Sequence, residues 1–297
     1  MLDAMPAPAF GRLITAMVTP FAADGSLDLV EAKRLASYLV DEMHNDALVI
    51  NGTTGESPTT DDAEKLALLE AVVETVGDRA QVLAGVGTNE TAATISRCKD
   101  AVRAGCHGVL VVTPYYSKPP VDALYEHFVM VADATELPVM LYDIPGRSAI
   151  PIPEDVIIRL ADHPRIVAVK DAKGDIVSSS RVMAATDLAY YSGDDAMTLP
   201  LLSVGGVGVV GTSTHFTGAR TKQMIEAYVA GDAAGALAIH RELFDVYTGV
   251  FATQGCMLVK AGLAARGFAP GGLRRPLKSA TDAQQATFVA LLDAAGL

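Results

Sequence analysis

Short apolar segments alternate with longer amphipathic segments along most of this 297-residue chain. The short segments are rich in Val, Leu, Ile and Ala, as is typical of strands that are buried on both faces. The longer segments repeat apolar residues at the three- and four-residue spacing of a helix that covers a core on one side. This alternation predicts an α/β fold built on a parallel sheet.

The pattern predicts eight strands, at Leu13–Val18, Ala47–Ile50, Gln81–Val86, Gly108–Val112, Leu137–Tyr142, Ile166–Lys170, Leu188–Tyr191 and Val207–Val210. Seven helices are predicted between them, at Leu29–Met43, Asp61–Val76, Thr91–Ala104, Val121–Ala134, Pro153–Ala161, Ile176–Ala185 and Ala196–Val204. None of the connections has the character of a hairpin. The order of elements therefore favours a closed (β/α)8 barrel, or TIM barrel, over an open sheet.

The last part of the chain has a purely helical pattern. From about Gly231 onward, helices are predicted at Ala233–Phe251, Met257–Arg266 and Asp282–Ala295. We predict that residues 1–230 form the catalytic barrel and that residues 231–297 form a helical extension packed on it. This extension is a candidate surface for oligomer formation.

Composition narrows the classes of partner and the cellular location. A net charge of −12 argues against nucleic acids and anionic membranes as partners, because both require basic surfaces. The three cysteines lack CxxC spacing, which predicts a reducing compartment without a zinc site. Met1–Phe10 lacks the features of a signal peptide, so we expect a cytoplasmic protein. The uncharged stretch Ala196–Ala219 contains Pro200 and several glycines, which favours a buried helix–loop–strand over a membrane span.

Lys170 is the most informative residue, because it ends an otherwise apolar strand. Alternation along the strand predicts that Ile166, Ala168 and Lys170 point to one face. A lysine amine removed from water has a lowered pKa and can act as a nucleophile that forms a Schiff base with a carbonyl substrate. The alternative interpretation is a strand-end lysine whose amine extends to water.

Polar motifs follow several of the other predicted strands. They are Asn51-Gly-Thr-Thr-Gly-Glu-Ser57, Thr113-Pro-Tyr-Tyr-Ser-Lys-Pro-Pro120, Tyr142-Asp-Ile-Pro-Gly-Arg147 and Ser192-Gly-Asp-Asp195. In a TIM barrel the catalytic groups stand at these strand ends. Taken singly, each motif has a simpler explanation as a turn, a packing tyrosine or a surface arginine. The GxGxxG match at Gly206–Gly211 lies within a predicted strand, so it does not indicate a dinucleotide site. The six histidines are scattered singly, so no metal site is predicted.

Four motifs together resemble a known enzyme family. Gly52-Thr-Thr-Gly-Glu-Ser57, Thr113-Pro-Tyr-Tyr116, Tyr142-Asp-Ile-Pro-Gly-Arg147 and Val169-Lys-Asp-Ala172 are similar in order and spacing to those of the dihydrodipicolinate synthase / N-acetylneuraminate lyase family. The resemblance covers about residues 11–280. It implies a class I aldolase that condenses pyruvate with L-aspartate 4-semialdehyde to 4-hydroxy-tetrahydrodipicolinate, on the diaminopimelate route to lysine.

The resemblance also implies the catalytic groups. Lys170 would form the Schiff base with pyruvate, so neither a separate cofactor nor a metal is expected. Tyr142 would donate and accept protons, in a relay completed by Thr53 and Tyr116. Tyr116 would come from a neighbouring subunit across a tight dimer, within a homotetramer that is a dimer of dimers. A chain of hydroxyl groups suits this task, because it moves protons without placing a permanent charge beside the lysine.

By the same resemblance, the substrate-binding residues are Thr54, Arg147, Val210 and Gly193. Thr54 and the backbone near Val210 would hold pyruvate, and Arg147 would hold the carboxylate of the semialdehyde. The planar guanidinium of arginine matches a carboxylate with two hydrogen bonds, so a lysine there would be a poor replacement. The segment Gly211–Phe216, beside the pyruvate pocket, departs from the family pattern.

Two alternative functions stay open at the level of sequence. N-acetylneuraminate lyases and 2-keto-3-deoxy sugar acid aldolases share the lysine and the tyrosine of the fifth strand, although Tyr115-Tyr116 and Arg147 favour the condensation with the semialdehyde. The other alternative is a catalytically silent barrel that binds a keto acid; intact Lys170 and Tyr142 argue against it.

The resemblance also bears on feedback inhibition by lysine. The region that binds a lysine effector in inhibited relatives keeps Ser57, Asn89 and Tyr115, but Lys65 and Ala93 stand where histidine and glutamate are typical. An added cation and a missing carboxylate disfavour a cationic ligand. We therefore predict weak or absent inhibition by lysine.

Overall fold

Eight parallel strands close into a barrel in sequence order, and the first strand pairs with the eighth. The computed structural model describes residues 8–297; residues 1–7, on which the signal-peptide prediction partly rests, lie outside it. The strands are β1 (Leu13–Ala16), β2 (Ala47–Ile50), β3 (Gln81–Gly85), β4 (Gly108–Val112), β5 (Val139–Asp143), β6 (Ile166–Asp171), β7 (Ala189–Ser192) and β8 (Gly208–Gly211). The predicted (β/α)8 barrel is confirmed.

A helix follows every strand on the outside of the barrel. The helices are α1 (Leu29–Asp41), α2 (Asp62–Val76), α3 (Thr91–Arg103), α4 (Val121–Asp133), α5 (Pro145–Ser148), α6 (Glu154–Leu160), α7 (Ile176–Ala185), α8 (Thr198–Leu202), α9 (Thr214–Val229), α10 (Ala233–Gly249), α11 (Gly255–Ala265) and α12 (Asp282–Ala294). Two 3-10 turns add Ser57–Thr59 and Asp195–Met197. Helices α10 to α12 form the predicted extension, in which α10 packs on α9 and α12 packs on α10 and α11.

Helix α9 was not predicted from the sequence. Its first half carries Thr214, His215, Thr217 and Gly218, which are poor helix formers with no clear apolar stripe. These residues are almost fully buried, and a side chain at Gly218 would approach the Met43 carbonyl oxygen to 2.7 Å. Tertiary packing, rather than local propensity, therefore makes this helix.

The uncharged stretch 196–219 forms part of the Asp195–Met197 turn, helix α8, strand β8 and the start of α9, so the prediction of a helix–loop–strand is confirmed. The single helix predicted at Ala196–Val204 is instead divided between the turn and α8. Across residues 8–297, no helix combines the length and the apolar character required to cross a bilayer.

The core has two layers, one inside the barrel and one between barrel and helices. The inner layer includes Leu110, Met140, Ala168 and Val210, while the larger outer layer includes Val169. Ile166 belongs to the outer layer, so the prediction that it shares a face with Ala168 and Lys170 was wrong. The reason is a register shift: Val139 pairs with Ile166 but Met140 pairs with Ala168, which inserts one extra residue into β6.

Candidate active site

A cavity of about 250 Å³ opens at the carboxyl ends of the strands. Thr53 lines it from the loop after β2, Tyr115 from the loop after β4, and Tyr142 and Arg147 from the end of β5 and helix α5. The exits of β2, β4 and β5 therefore contribute to one mouth. The exit of β6 lies beside them, because Lys170 at the end of β6 pairs in register with Tyr142. This is the place at which a TIM barrel holds its active site.

Lys170 is almost completely buried, with 5% of its surface exposed. Its Nζ atom lies 4.2 Å from the centroid of the ring of Tyr142, which lines the cavity. Burial lowers the pKa of Lys170 to about 8, with Arg147 adding to the effect and Asp195 opposing it. The amine thus does not extend to water, and a substantial neutral fraction exists near neutral pH.

Gly193 leaves space beside the lysine. A Cβ atom at this position would lie 3.1 Å from Lys170 Cε and 2.8 Å from the Cβ of Ala172. Any side chain at position 193 would therefore crowd the stem of the lysine. Gly193, which the sequence analysis placed among the substrate-binding residues, therefore borders the space around the Lys170 side chain.

Tyr142 is held in its protonated form. Burial raises the pKa of its hydroxyl to about 12, although Arg147 and a hydrogen bond with the Thr53 side chain both act to lower it. At neutral pH the phenol is therefore a proton donor, and the Thr53 hydroxyl is its hydrogen-bonding neighbour. The structure thus brings together three of the four predicted catalytic residues: Lys170, Tyr142 and Thr53.

Tyr116, the fourth predicted catalytic residue, is not brought to the cavity of its own chain. Its side chain is 88% exposed, and its φ of +74° lies in the left-handed region that non-glycine residues rarely adopt. The adjacent Tyr115 lines the cavity instead.

The predicted substrate-binding residues lie at different depths. Thr54 Oγ1 is 3.5 Å from Thr212 Oγ1, across the mouth between the β2 and β8 exits. The Val210 side chain is buried in the inner core, so a contact with a ligand at the mouth would come from the backbone near this residue. Arg147 is exposed on α5, and its Nη1 donates to Gln254 Oε1 at 2.9 Å.

Sequence reasoning did not identify Asp195 as a site residue, although the motif at Ser192–Asp195 was noted. Its carboxylate is fully buried and accepts hydrogen bonds from the backbone amides of Thr212 (3.0 Å) and Ser213 (3.1 Å), and from Ser213 Oγ (2.6 Å). Desolvation raises the pKa of this carboxyl, while these hydrogen bonds lower it. Asp195 therefore holds the β8 exit in place and attracts the Lys170 ammonium.

His215 explains the unusual segment after β8. Its Nδ1 donates to the Thr212 carbonyl oxygen at 2.8 Å, and its Nε2 accepts from the Val18 amide at 3.2 Å. Complete burial lowers the pKa of His215 to about 4, so the ring is neutral with its proton on Nδ1. The histidine is thus a structural group that supports Thr212. Within residues 8–297 there is no group of three or more His, Cys, Asp or Glu side chains that could hold a metal ion.

Comparison with known proteins gives consistent results. The model of the dihydrodipicolinate synthetase family matches residues 9–295. A 4-hydroxy-tetrahydrodipicolinate synthase of Cutibacterium acnes is 60% identical over 289 residues, which cover 97% of this chain and 99% of that protein. The enzyme of the same name from Acidothermus cellulolyticus is 62% identical over 291 residues, with 98% and 94% covered. A crystal structure of DHDPS from Cyanidioschyzon merolae with lysine bound has a TM-score of 0.96 and 40% identity, with 98% and 100% covered.

Proposed function

The chain belongs to the dihydrodipicolinate synthetase family, and on that premise we propose how its barrel carries out the reaction of the family. The enzyme is a lyase that condenses pyruvate with L-aspartate 4-semialdehyde to 4-hydroxy-tetrahydrodipicolinate, in the biosynthesis of diaminopimelate and lysine. The observation that supports our assignment of roles most strongly is the buried amine of Lys170 beside the Tyr142 ring.

In the first step, the neutral Lys170 amine attacks the keto carbon of pyruvate and forms a C–N bond. The carbonyl oxygen then leaves as water, which requires a proton donor within the site. Loss of a methyl proton from the resulting iminium gives an enamine, whose carbon attacks the aldehyde of the semialdehyde. Attack of the substrate's amino group on the same iminium carbon closes the ring and releases Lys170. We propose no separate cofactor or metal, because the protonated imine itself accepts the electron pair.

Tyr142 and Thr53 move the protons in this scheme. The raised pKa of Tyr142 keeps its hydroxyl protonated at neutral pH, so the hydroxyl has a proton to give to the departing oxygen, and the Thr53 hydroxyl can return a proton to it. The relay requires a third hydroxyl with access to solvent. We propose that Tyr116 of a neighbouring subunit supplies it, since this residue is exposed and turned away from its own cavity.

We propose a cytoplasmic homotetramer, formed as a dimer of dimers, as the working assembly. Within each active site, Thr54 and the backbone after Val210 would bind pyruvate. Arg147 would bind the carboxylate of the semialdehyde, because it is the guanidinium that borders the cavity beside Tyr142. Its hydrogen bond to Gln254 limits the freedom of the guanidinium.

The direct test is turnover of pyruvate with aspartate semialdehyde, coupled to the reductase that consumes the product and followed by loss of NADPH. Borohydride reduction with pyruvate alone, followed by peptide mass spectrometry, identifies the residue that forms the Schiff base. Turnover together with a pyruvyl adduct on Lys170 supports the proposal. An adduct on Lys170 without turnover would point to a different aldehyde partner, and the absence of any adduct would contradict the mechanism.

Formation of the Schiff base should depend on pH through the Lys170 amine. With a pKa of about 8, roughly one-tenth of the amine is neutral at pH 7, so the rate should rise nearly tenfold between pH 6 and 7 and level off above about pH 9. The measurement is the initial rate of adduct formation between pH 6 and 10, with every sample quenched by borohydride at one fixed pH. A rate that continues to climb to pH 10 would indicate an ordinary, solvated lysine.

Lysine should inhibit this enzyme weakly or not at all. Lys65 is buried, and its amine donates to the carbonyl and hydroxyl oxygens of Thr60, while Ala93 offers no carboxylate to an ammonium group. Initial rates with increasing lysine, at substrate concentrations near KM, check this expectation. Clear inhibition at sub-millimolar lysine would refute it. The double variant Lys65→His/Ala93→Glu, which restores the pair typical of inhibited relatives, should become more sensitive than the parent.

A further inference from the structure

The loop that carries Thr53 and Thr54 has an unfavourable backbone conformation. Asn51 and Glu56, which flank it, have φ values of +61° and +56°. Such angles cost free energy in residues with a Cβ, so they persist only where surrounding contacts enforce them. Three backbone hydrogen bonds lie within residues 52–57, and one of them joins the Glu56 amide to the Thr53 carbonyl oxygen at 3.2 Å.

The C-terminal extension supplies further contacts, which hold the Glu56 side chain. Glu56 Oε1 lies 2.8 Å from the Nζ atom of Lys260 on helix α11, and Glu56 Oε2 accepts the backbone N–H of Arg274 at 3.0 Å. The side chains of Glu56 and Lys260 are 0% and 2% exposed. The Lys260 amine also donates to the Gly272 carbonyl oxygen at 2.7 Å and lies 4.4 Å from the centroid of the Phe21 ring.

A second contact from the same part of the extension surrounds the loop. The Arg274 guanidinium donates to the Thr59 carbonyl oxygen at 2.8 Å and pairs with Glu64 at the start of α2. Its planar group lies 4.2 Å from the centroid of the Phe21 ring, on which Lys260 also rests. Residues 260–274 therefore hold both ends of the segment 56–64 that follows the catalytic threonines.

The buried pair needs an explanation beyond stability. Removing two charges from water costs much of what their attraction returns, and well-packed apolar residues of similar size often serve stability as well. An ion pair differs from apolar packing because it fixes the position of one defined atom group. Here the fixed group is the carboxylate of Glu56, and the backbone amide of the same residue donates to the Thr53 carbonyl oxygen. A displacement of Glu56 would therefore be transmitted to the Thr53 hydroxyl beside Tyr142.

We propose that Glu56 and Lys260 are positioning residues for catalysis: their buried ion pair uses the C-terminal extension to hold Thr53 and Thr54 in register with Tyr142 and Lys170. The inference rests on the proposed roles of Thr53 and Thr54. Neither Glu56 nor Lys260 lines the cavity. Their effect on the reaction would therefore pass entirely through the loop.

The test replaces both charges at once, so that no buried charge is left without a partner. The variant Glu56→Leu/Lys260→Met should fold, yet its kcat should fall and its KM for pyruvate should rise, about 10- to 100-fold in kcat/KM, because small displacements of catalytic groups have effects of this size. The control is Arg266→Gln/Asp293→Asn, which removes an ion pair between the residue that follows α11 and the end of α12 and does not touch the loop. Its kinetics should match the parent.

Glu56→Asp provides a second variant in case the double variant does not fold. It keeps the charge but shortens the side chain by one methylene, so it should fold with an altered loop and lowered kcat/KM. A pair that serves stability alone would lower the melting temperature of these variants and leave kcat and KM unchanged in the folded fraction; that result would overturn the inference. Absence of turnover in the parent enzyme would instead contradict the proposed function, so the two failures are distinguishable.

Discussion

Replacing Lys170 with alanine should abolish turnover, with a loss of at least about 10³-fold, because the proposed mechanism requires its amine for the C–N bond to pyruvate. Burial lowers the pKa of the Lys170 amine to about 8 and keeps the amine away from water, over the Tyr142 ring. The measurements are the coupled assay and the borohydride trap. The variant should show no pyruvyl adduct at any position.

The variant is expected to fold, because alanine removes a buried amine without leaving a charge behind. Circular dichroism and thermal unfolding check this point. Lys99→Ala, on the exposed side of α3, serves as the matched control and should keep the activity and adduct of the parent. Residual turnover above about one-tenth in Lys170→Ala would contradict the assignment of the nucleophile.

Replacing Tyr142 with phenylalanine should lower kcat by about 10²- to 10³-fold, which is the usual contribution of a positioned general acid or base. Phenylalanine keeps the aromatic ring on which the Lys170 amine rests, so the amine should retain its position. It removes only the hydroxyl that bonds with Thr53. We therefore expect a slower but still detectable pyruvyl adduct on Lys170, together with the large loss of turnover.

Tyr191→Phe is a matched control within the same barrel. Tyr191 pairs in register with Lys170 and is fully buried, but its hydroxyl donates to the Gly11 carbonyl oxygen and accepts the Phe10 amide at the opposite end of the barrel. Its loss should cost about 1–3 kcal/mol of folding stability and leave kcat close to that of the parent. Equal losses of kcat in both variants would mean that Tyr142 acts through the fold and not through its hydroxyl.

Local patterns in the sequence were sufficient to predict the barrel and the strand ends at which most of the proposed catalytic groups lie. Buried strands and amphipathic helices have different periods, so their alternation can be read without tertiary information. In a TIM barrel the active site lies at the strand exits, and this rule pointed to Lys170 and to the motifs that contain Thr53 and Tyr142, while the resemblance to the family implied the roles of these residues. The structure places these three side chains together, although their roles remain proposals.

Other features depended on contacts between distant parts of the chain. The extra residue in β6 moves Ile166 to the outer layer, and α9 forms from residues with weak helical propensity because they are buried against the barrel. The fixed position of the Asp195 carboxylate also depends on contacts between distant parts of the chain. So does the pairing of Glu56 with Lys260, some 200 positions away. A sequence motif that contains a carboxylate does not show which distant residue will pair with its charge.

The sequence by itself thus determined the architecture, the place of the active site and the chemical types of its groups, because periodicity and strand-end position are local properties. Only the tertiary structure decided the state of those groups. Burial set the pKa values of Lys170 and Tyr142, and the folding back of the C-terminal extension supplied the partner of Glu56. Desolvation and charge pairing depend on everything that surrounds a side chain, and most of that surrounding comes from residues far away in the sequence.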